Sequence, residues 1–228
     1  MTLEDPVEYP FPLIRQTSVN DTAGMGFANG IKSLMRQDPD VILLGELRDR
    51  ETMEIAMSAA ETGHLVLGTL HTINAPEAIQ RIVGFFEPHH QPQVRKLLSG
   101  IIVAIISQRL VPRKGGGRVA AIEIMLNKGA VTECIADGDR VKEIPDLITR
   151  GAAQYGTQSF DQSLFWSFKK GYIDEEELKA CDMTIAEICN KLEPRAYSSR
   201  EFIVEMGKLL VENGKGIPSI VESCYRKG

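Results

Sequence analysis

The sequence predicts an α/β fold, in which a parallel sheet interleaved with helices is followed by a C-terminal helical region. Three observations carry that expectation. Val41–Leu44 is a continuous apolar run, as a strand buried on both faces of a parallel sheet requires, and residues 65–70 read as the next buried strand. Around them apolar residues recur at helical spacing, and strands alternating with helices of roughly 10–15 residues mark βαβ units. Beyond Asn127 the chain breaks into short stretches punctuated by Gly138, Gly151, Gly156 and Gly171, which read as a series of short helices.

Taken in order, residues 2–6 read as the tip of a strand, broken by Pro6 and then by Pro10 and Pro12, because proline cannot donate to a ladder. Phe27, Ile31, Leu34 and Met35 lie at helical spacing over residues 27–36. Pro39 stops that helix, since the residue before a proline avoids the α region. Asp49, three residues before Thr52, opens a helix to about residue 62 with Met53, Ile55, Ala56, Ala59 and Ala60 on its apolar side. Gly63 suits the left-handed position after it. Residues 75–86 form a further helix with Ile79, Ile82 and Val83 inward, closed by Pro88.

The longest apolar run, residues 97–107, is interrupted by Ser99 and Gly100. It falls short of the ~20 residues a membrane-spanning helix needs and reads as a buried helix passing into a strand. Residues 108–111 and 118–124 are strands, with Gly115, Gly116 and Gly117 as the hairpin turn between them. Asp174 with Glu177, and Ser198 with Glu201, have capping-box spacing. The second opens an amphipathic helix with Phe202, Ile203, Met206, Leu209 and Leu210 on one face, ending near Gly214. The expected organisation is a core over residues 1–126, a helical subdomain over 127–182 and a helical tail over 183–228.

The chain has 228 residues, enough to bury a full core. A net charge of −5 supplies no general basic field for nucleic acid. No signal-peptide pattern follows Met1. The four cysteines (Cys134, Cys181, Cys189, Cys224) show no Cys-x-x-Cys spacing, so they read as reduced structural thiols of a cytosolic protein.

Two stretches could carry chemistry. DPDVILLGELRD (residues 38–49) delivers Glu46 at the exit of a strand, and TGHLVLGTLHT (residues 62–72) frames the next strand with His64 and His71. An acid and a histidine at the carboxyl edge of a parallel sheet sit where such folds bind ligands. A nucleotide hydrolase uses an acid there to orient water or to support magnesium through its waters. Each residue also has a plainer reading. Glu46 can be a solvated acid, His71 a structural histidine, and His64 a hydrogen-bonding group across its turn. Glu4 and Asp5 add an acidic pair at the tip of the first strand; alone they are surface acids. His64 and His71 lack metal-ligand spacing across their strand, so no direct metal ligand is expected. His89 and His90 read as a solvated loop. No Gly-x-x-x-x-Gly-Lys-[Ser/Thr] loop occurs anywhere in the sequence. The glycines of residues 113–118 lack the lysine and lead into a strand, while residues 214–219 follow a helix and contain Pro218.

Taken together, TLEDPVEY (residues 2–9), LMRQDPDVILLGELRD (34–49) and TGHLVLGTLHT (62–72) resemble the secretion ATPases of type II secretion and type IV pili. There they correspond to the Asp box, the atypical Walker B and the His box. ISQRL (106–110) and GGRVAAIEIM (116–125) are similar to elements that follow in that family, and the likeness runs to about residue 178. The resemblance implies a partial RecA-like sheet with a C-terminal helical region. It also implies a homo-hexameric ring that uses ATP and Mg2+ to drive an inner-membrane platform protein and a pilus or pseudopilus. The motor would be cytoplasmic and held at the inner membrane through partners, with no direct membrane insertion and no nucleic acid. By motif match Glu46 and Glu4 are the catalytic acids, with Asp5 beside Glu4 in the Asp box. His64 and His71 belong to the His box, and His71 approaches the γ-phosphate. Arg36 and Arg48 are candidates for stabilising phosphate charge, or structural partners of Asp38 or Asp49.

Two departures qualify this expectation. The family's Walker A precedes the Asp box, and this sequence starts at that box. The loop's backbone amides and lysine supply most phosphate affinity. The chain is therefore expected to be a C-terminal portion that alone neither binds ATP tightly nor hydrolyses it. An alternative is a shortened non-catalytic subunit that joins or regulates rings of complete ones; a third is a RecA-like DNA motor, disfavoured by the acidic balance. Second, the retraction branch carries AIRNLIRE, whereas AVTECIAD at residues 130–137 has neither arginine, and the Cys-x-x-Cys pairs of many assembly ATPases are missing as well. The direction of movement is not written in these residues. Residues beyond about 185 resemble nothing, and their final helix either packs on its own domain or docks a partner.

Overall fold

The structure, a computed structural model, describes residues 1–174. Four short strands form a parallel sheet: β1 (Thr2–Glu4), β2 (Gln16–Ser18), β3 (Val41–Leu44) and β4 (Leu65–Gly68), in the order β2-β1-β3-β4. Leu3 of β1 pairs with Thr17 on one side and Leu44 on the other, and β3 pairs with β4 along its whole length. Helix α1 (Phe27–Met35) crosses from β2 to β3, and α2 (Arg50–Glu61) from β3 to β4. Their apolar stripes close over one face of the sheet, burying Leu3, Ile31, Leu34, Ile42, Leu44, Ala56 and Ala59 together. Gly30 permits the close approach of α1: a Cβ there would lie 2.5 Å from Leu3 Cδ2.

The second half begins with α3 (Ala75–Gly84) and α4 (Gln91–Ile101) and continues as a β-hairpin, β5 (Ala104–Pro112) with β6 (Arg118–Leu126). The hairpin is antiparallel and in register over all nine pairs from Ala104↔Leu126 to Pro112↔Arg118. Gly115, Gly116 and Gly117 all take positive φ at its tip, which glycine adopts without a Cβ clash. Short helices follow: α5 (Ala130–Ala136), a 3-10 turn (Gly138–Glu143), α6 (Ile144–Arg150), α7 (Ala152–Tyr155) and α8 (Phe160–Lys169). A capping box of Ser159 and Gln162 starts α8, and Ser163 Oγ accepts the Ile122 N–H of β6 at 3.0 Å.

A second core cluster joins Ile79, Ile82, Val83 and Leu98 to Met125, Cys134, Ile135, Ile144 and Ile148. It draws on both sides of residue 126. Helix α2 serves both cores, turning Ala56 and Ala59 to the first and Met53 and Met57 to the second, and Leu47 packs against each.

Three expectations need correction. The second predicted strand is not buried on both faces and does not run to residue 70: β4 stops at Gly68, and Leu67 is 43% exposed. Its apolar run marks a strand at the edge of the sheet, covered on one side by α2 and paired only with β3 among the described residues. Strand β2 carries no sequence signal, because Gln16–Ser18 is polar and short, and pairing with β1 rather than an apolar pattern defines it. The hairpin strands extend beyond their predicted limits at both outer ends, where Ala104 and Ile105 pair with the buried Leu126 and Met125. The expected capping box at Asp174–Glu177 and the amphipathic helix after Ser198 lie outside the described residues. Among the described residues no helix is long and apolar enough to cross a membrane.

Candidate functional site

Parallel strands end at one edge, so β1, β3 and β4 bring their following residues together. The ladder outlasts the strands: Gly45 N donates to Leu3 O at 2.8 Å and Leu47 N to Thr69 O at 3.0 Å. The Thr69 hydroxyl closes on Gly45 O. Gly45 is needed because a Cβ would meet the Glu4 Cα at 3.1 Å, so β1 and β3 stay paired up to the residue that precedes Glu46.

A polar chain crosses this edge. Arg48 Nη1 lies 3.5 Å from Asp5 Oδ2, Arg48 Nε 2.5 Å from Glu46 Oε2, and His71 Nε2 3.1 Å from Glu46 Oε1. Both oxygens of Glu46 are thus held, one by a guanidinium and one by an imidazole. The Glu46 side chain is 20% exposed, whereas His71 is 86% exposed and reaches towards solvent. The hydrogen bond from Arg48 to Glu46 holds the guanidinium still more firmly protonated. The arrangement offers an acid that can accept a proton from water, a fixed cation for developing negative charge, and a hydrogen-bonding histidine beside them.

The other predicted residues are placed differently. Glu4 is at the same edge but faces β2: its Oε1 accepts from Thr2 Oγ1 at 2.5 Å and from Gln16 Nε2 at 3.1 Å. His64 lies at the amino end of β4, at the opposite edge from His71, with Nδ1 3.0 Å from Ala59 O and 3.2 Å from Thr62 Oγ1. That is the cross-turn role the spacing allowed. Arg36 is an exposed residue at the C-cap of α1, at the amino edge of the sheet because α1 runs antiparallel to the strands. It does not join Glu46. Among the described residues Asp49 pairs with no arginine; it caps α2, accepting from Thr52 N at 2.8 Å and Thr52 Oγ1 at 3.0 Å.

Sequence reasoning missed Glu123. This carboxylate is buried in β6, where it accepts the Ala75 N–H at 2.8 Å and the Ser107 hydroxyl at 3.1 Å. Ala75 is the first residue of α3, directly after the loop that carries His71. Burial pushes the Glu123 carboxyl above its ordinary value, against its two hydrogen bonds and nearby Arg109. A single acid inside the apolar run VAAIEIM was the signal for it.

Comparison with known proteins places these features in a wider set. Residues 1–215 match the family described as type II/IV secretion system protein. The chain is 41% identical over 184 residues to the type IV pilus retraction ATPase PilT of Pseudomonas aeruginosa, covering 78% of this chain and 52% of that protein. It is 51% identical over 114 residues to the type II secretion system protein E of Klebsiella pneumoniae, covering 50% of this chain and 22% of that one. The crystal structure of the pilus retraction motor PilT with bound ADP superposes with a TM-score of 0.68 at 40% identity, over 82% of this chain and 53% of that one. The chain spans about half the length of the first of these relatives.

Proposed function

The chain belongs to the type II/IV secretion system protein family, and we propose on that premise that it is the lower part of a motor ATPase that drives pilus or pseudopilus assembly or retraction. The observation that carries this reading is the row Asp5–Arg48–Glu46–His71 at the carboxyl edge of a RecA-like parallel sheet. In this reading Glu46 orients and deprotonates the attacking water, Arg48 stabilises charge on the transferred phosphoryl group, and His71 approaches the γ-phosphate. Asp5, paired with Arg48, completes the acidic side of the site, while Glu4 stands at the same edge turned towards β2. The carboxylates at this edge suit a hydrated Mg2+, a hard ion that prefers oxygen ligands and keeps several waters. ATP would supply the phosphoryl group and Mg2+ the neutralisation of its charge.

These residues do not by themselves cradle phosphates, because no glycine-rich lysine loop occurs in the sequence. The chain alone therefore does not turn over ATP; it acts with a phosphate-binding segment, within a homo-hexamer on an inner-membrane platform protein, on the cytoplasmic side. The strand edges left unpaired among the described residues, those of β2 and β4 at the two ends of the parallel sheet and that of β5, fit such a neighbour. The same edges also favour a second reading, a non-catalytic subunit that inserts among complete ones.

Phosphate release is the test, measured for this chain alone and for a chimera joining it to the amino-terminal half of a PilT-type relative. The first should be silent. The second should hydrolyse ATP and lose at least about a hundredfold with Glu46→Gln. A folded, hexameric chimera without activity sinks the ATPase reading in favour of the second one, and turnover by the isolated chain sinks the need for a phosphate loop.

A further inference from the structure

Glu87, His89 and His90 take no part in the proposed ATPase chemistry, and we propose that they form a binding site for a divalent transition ion of the zinc class. Each offers one ligand atom, and these atoms all lie within 4.8 Å of one another. The three sit in the turn between α3 and α4, where the backbone is fixed on both sides. His90 N donates to Glu87 O at 2.9 Å, Val94 N to His90 O at 3.1 Å, and Gln91 Nε2 to Phe86 O at 3.0 Å. Phe86, buried, anchors the turn in the second core, and Pro88 and Pro92 restrict it further. The donors are thus gathered by folding itself, so little ordering is left for a metal to impose.

Glu87 Oε2 lies 3.5 Å from His89 Nδ1. That is long for a hydrogen bond but close to the ~3.3 Å between neighbouring ligands of a tetrahedral zinc with bonds of about 2.0–2.1 Å. The two imidazole rings stand 4.0 Å apart and tilted by 43°, side by side rather than pointing away from each other. His90 Nδ1 is withdrawn from solvent and has no hydrogen-bond partner among the described residues, a costly state for a ring nitrogen unless something else pairs with it. The other oxygen of Glu87 faces Arg50 Nη1 at 3.7 Å. Arg50 therefore steadies the carboxylate from outside while Oε2 is turned to the histidines, as outer partners of ligating carboxylates do. Two imidazoles and one carboxylate prefer zinc to magnesium. They leave a fourth position for water, and the ion would clip the end of α3 to the start of α4.

The test is calorimetric titration of the 228-residue chain with ZnCl2, repeated on His89→Ala, His90→Ala and Cys134→Ser. Thermal unfolding and the visible spectrum of the Co2+ form provide separate readouts. One equivalent of zinc should bind and raise the Tm. His89→Ala and His90→Ala should each weaken binding at least about tenfold and abolish the Tm rise. Cys134→Ser should bind as the parent does, and the Co2+ form should show no sulfur-to-metal band. Absence of zinc binding overturns the proposal. So does binding that persists in both histidine variants, or a thiolate band, either of which places the ion elsewhere.

Discussion

Glu123 and Glu46 show how differently one residue type behaves at two depths. Glu46, at the rim, has both oxygens claimed by cations or potential cations. Glu123, 6% exposed, is held by an amide and a hydroxyl, and burial dominates its protonation. Its folded pKa is raised, so between the ordinary carboxylate pKa of about 4.3 and that raised value the folded state binds more protons than the unfolded chain. Stability contributed by Glu123 is therefore complete at low pH and lost as pH rises through that window. Denaturation followed across that range should show the decline in the parent and a flatter profile in Glu123→Gln, which keeps an acceptor for Ala75. Glu123→Ala should lose about 1–3 kcal/mol at neutral pH, because the buried Ala75 N–H is left unpaired. At this scale the candidate site was half legible. Glu46 and His71 could be read from strand exits and Arg48 only from the family resemblance, whereas the separation of Arg36 and His64 from them follows only from which edge each element end reaches.

Among the elements, α1 exposes a conflict between propensity and packing. Alanine is favoured over glycine within a helix by about 1 kcal/mol, yet Gly30 faces Leu3 so closely that an added Cβ would lie 2.5 Å from its Cδ2. Leu3 is fully buried and has no free space to rotate into. Overpacking costs typically about 1–3 kcal/mol, so Gly30→Ala should destabilise despite its better propensity. Combining it with Leu3→Val should recover part of the loss, less than additively, in chemical denaturation. The period of the apolar residues gave α1, α2 and α3 nearly to the residue, because each buries one stripe. It could not give β2, whose three residues are ordered by a neighbour's backbone.

Over the whole molecule, α2 and Leu47 link two cores that neither half completes alone. Among the described residues one side of β4 is unpaired and Leu67 is 43% exposed, an arrangement that invites pairing with other chains. Leu67→Lys should lower self-association of this chain in light scattering while shifting its folding stability by no more than about 0.5 kcal/mol. Unchanged association would show that the β4 edge is not what drives it.

The sequence by itself determined the α/β class, the order of helices and strands beyond residue 27, the hairpin, and the positions of Glu46 and His71 at strand exits. Those follow from local chemistry: apolar period, proline and glycine punctuation, and caps such as Asp49 over Thr52. Only the tertiary structure decided that Asp5 meets Arg48, that Glu4 turns to Gln16 instead, that Glu123 holds the start of α3, and that β4 is an edge among the described residues. Each of these depends on which strands lie side by side and which element ends share an edge. Contacts between residues distant in sequence set that, and no local pattern encodes them.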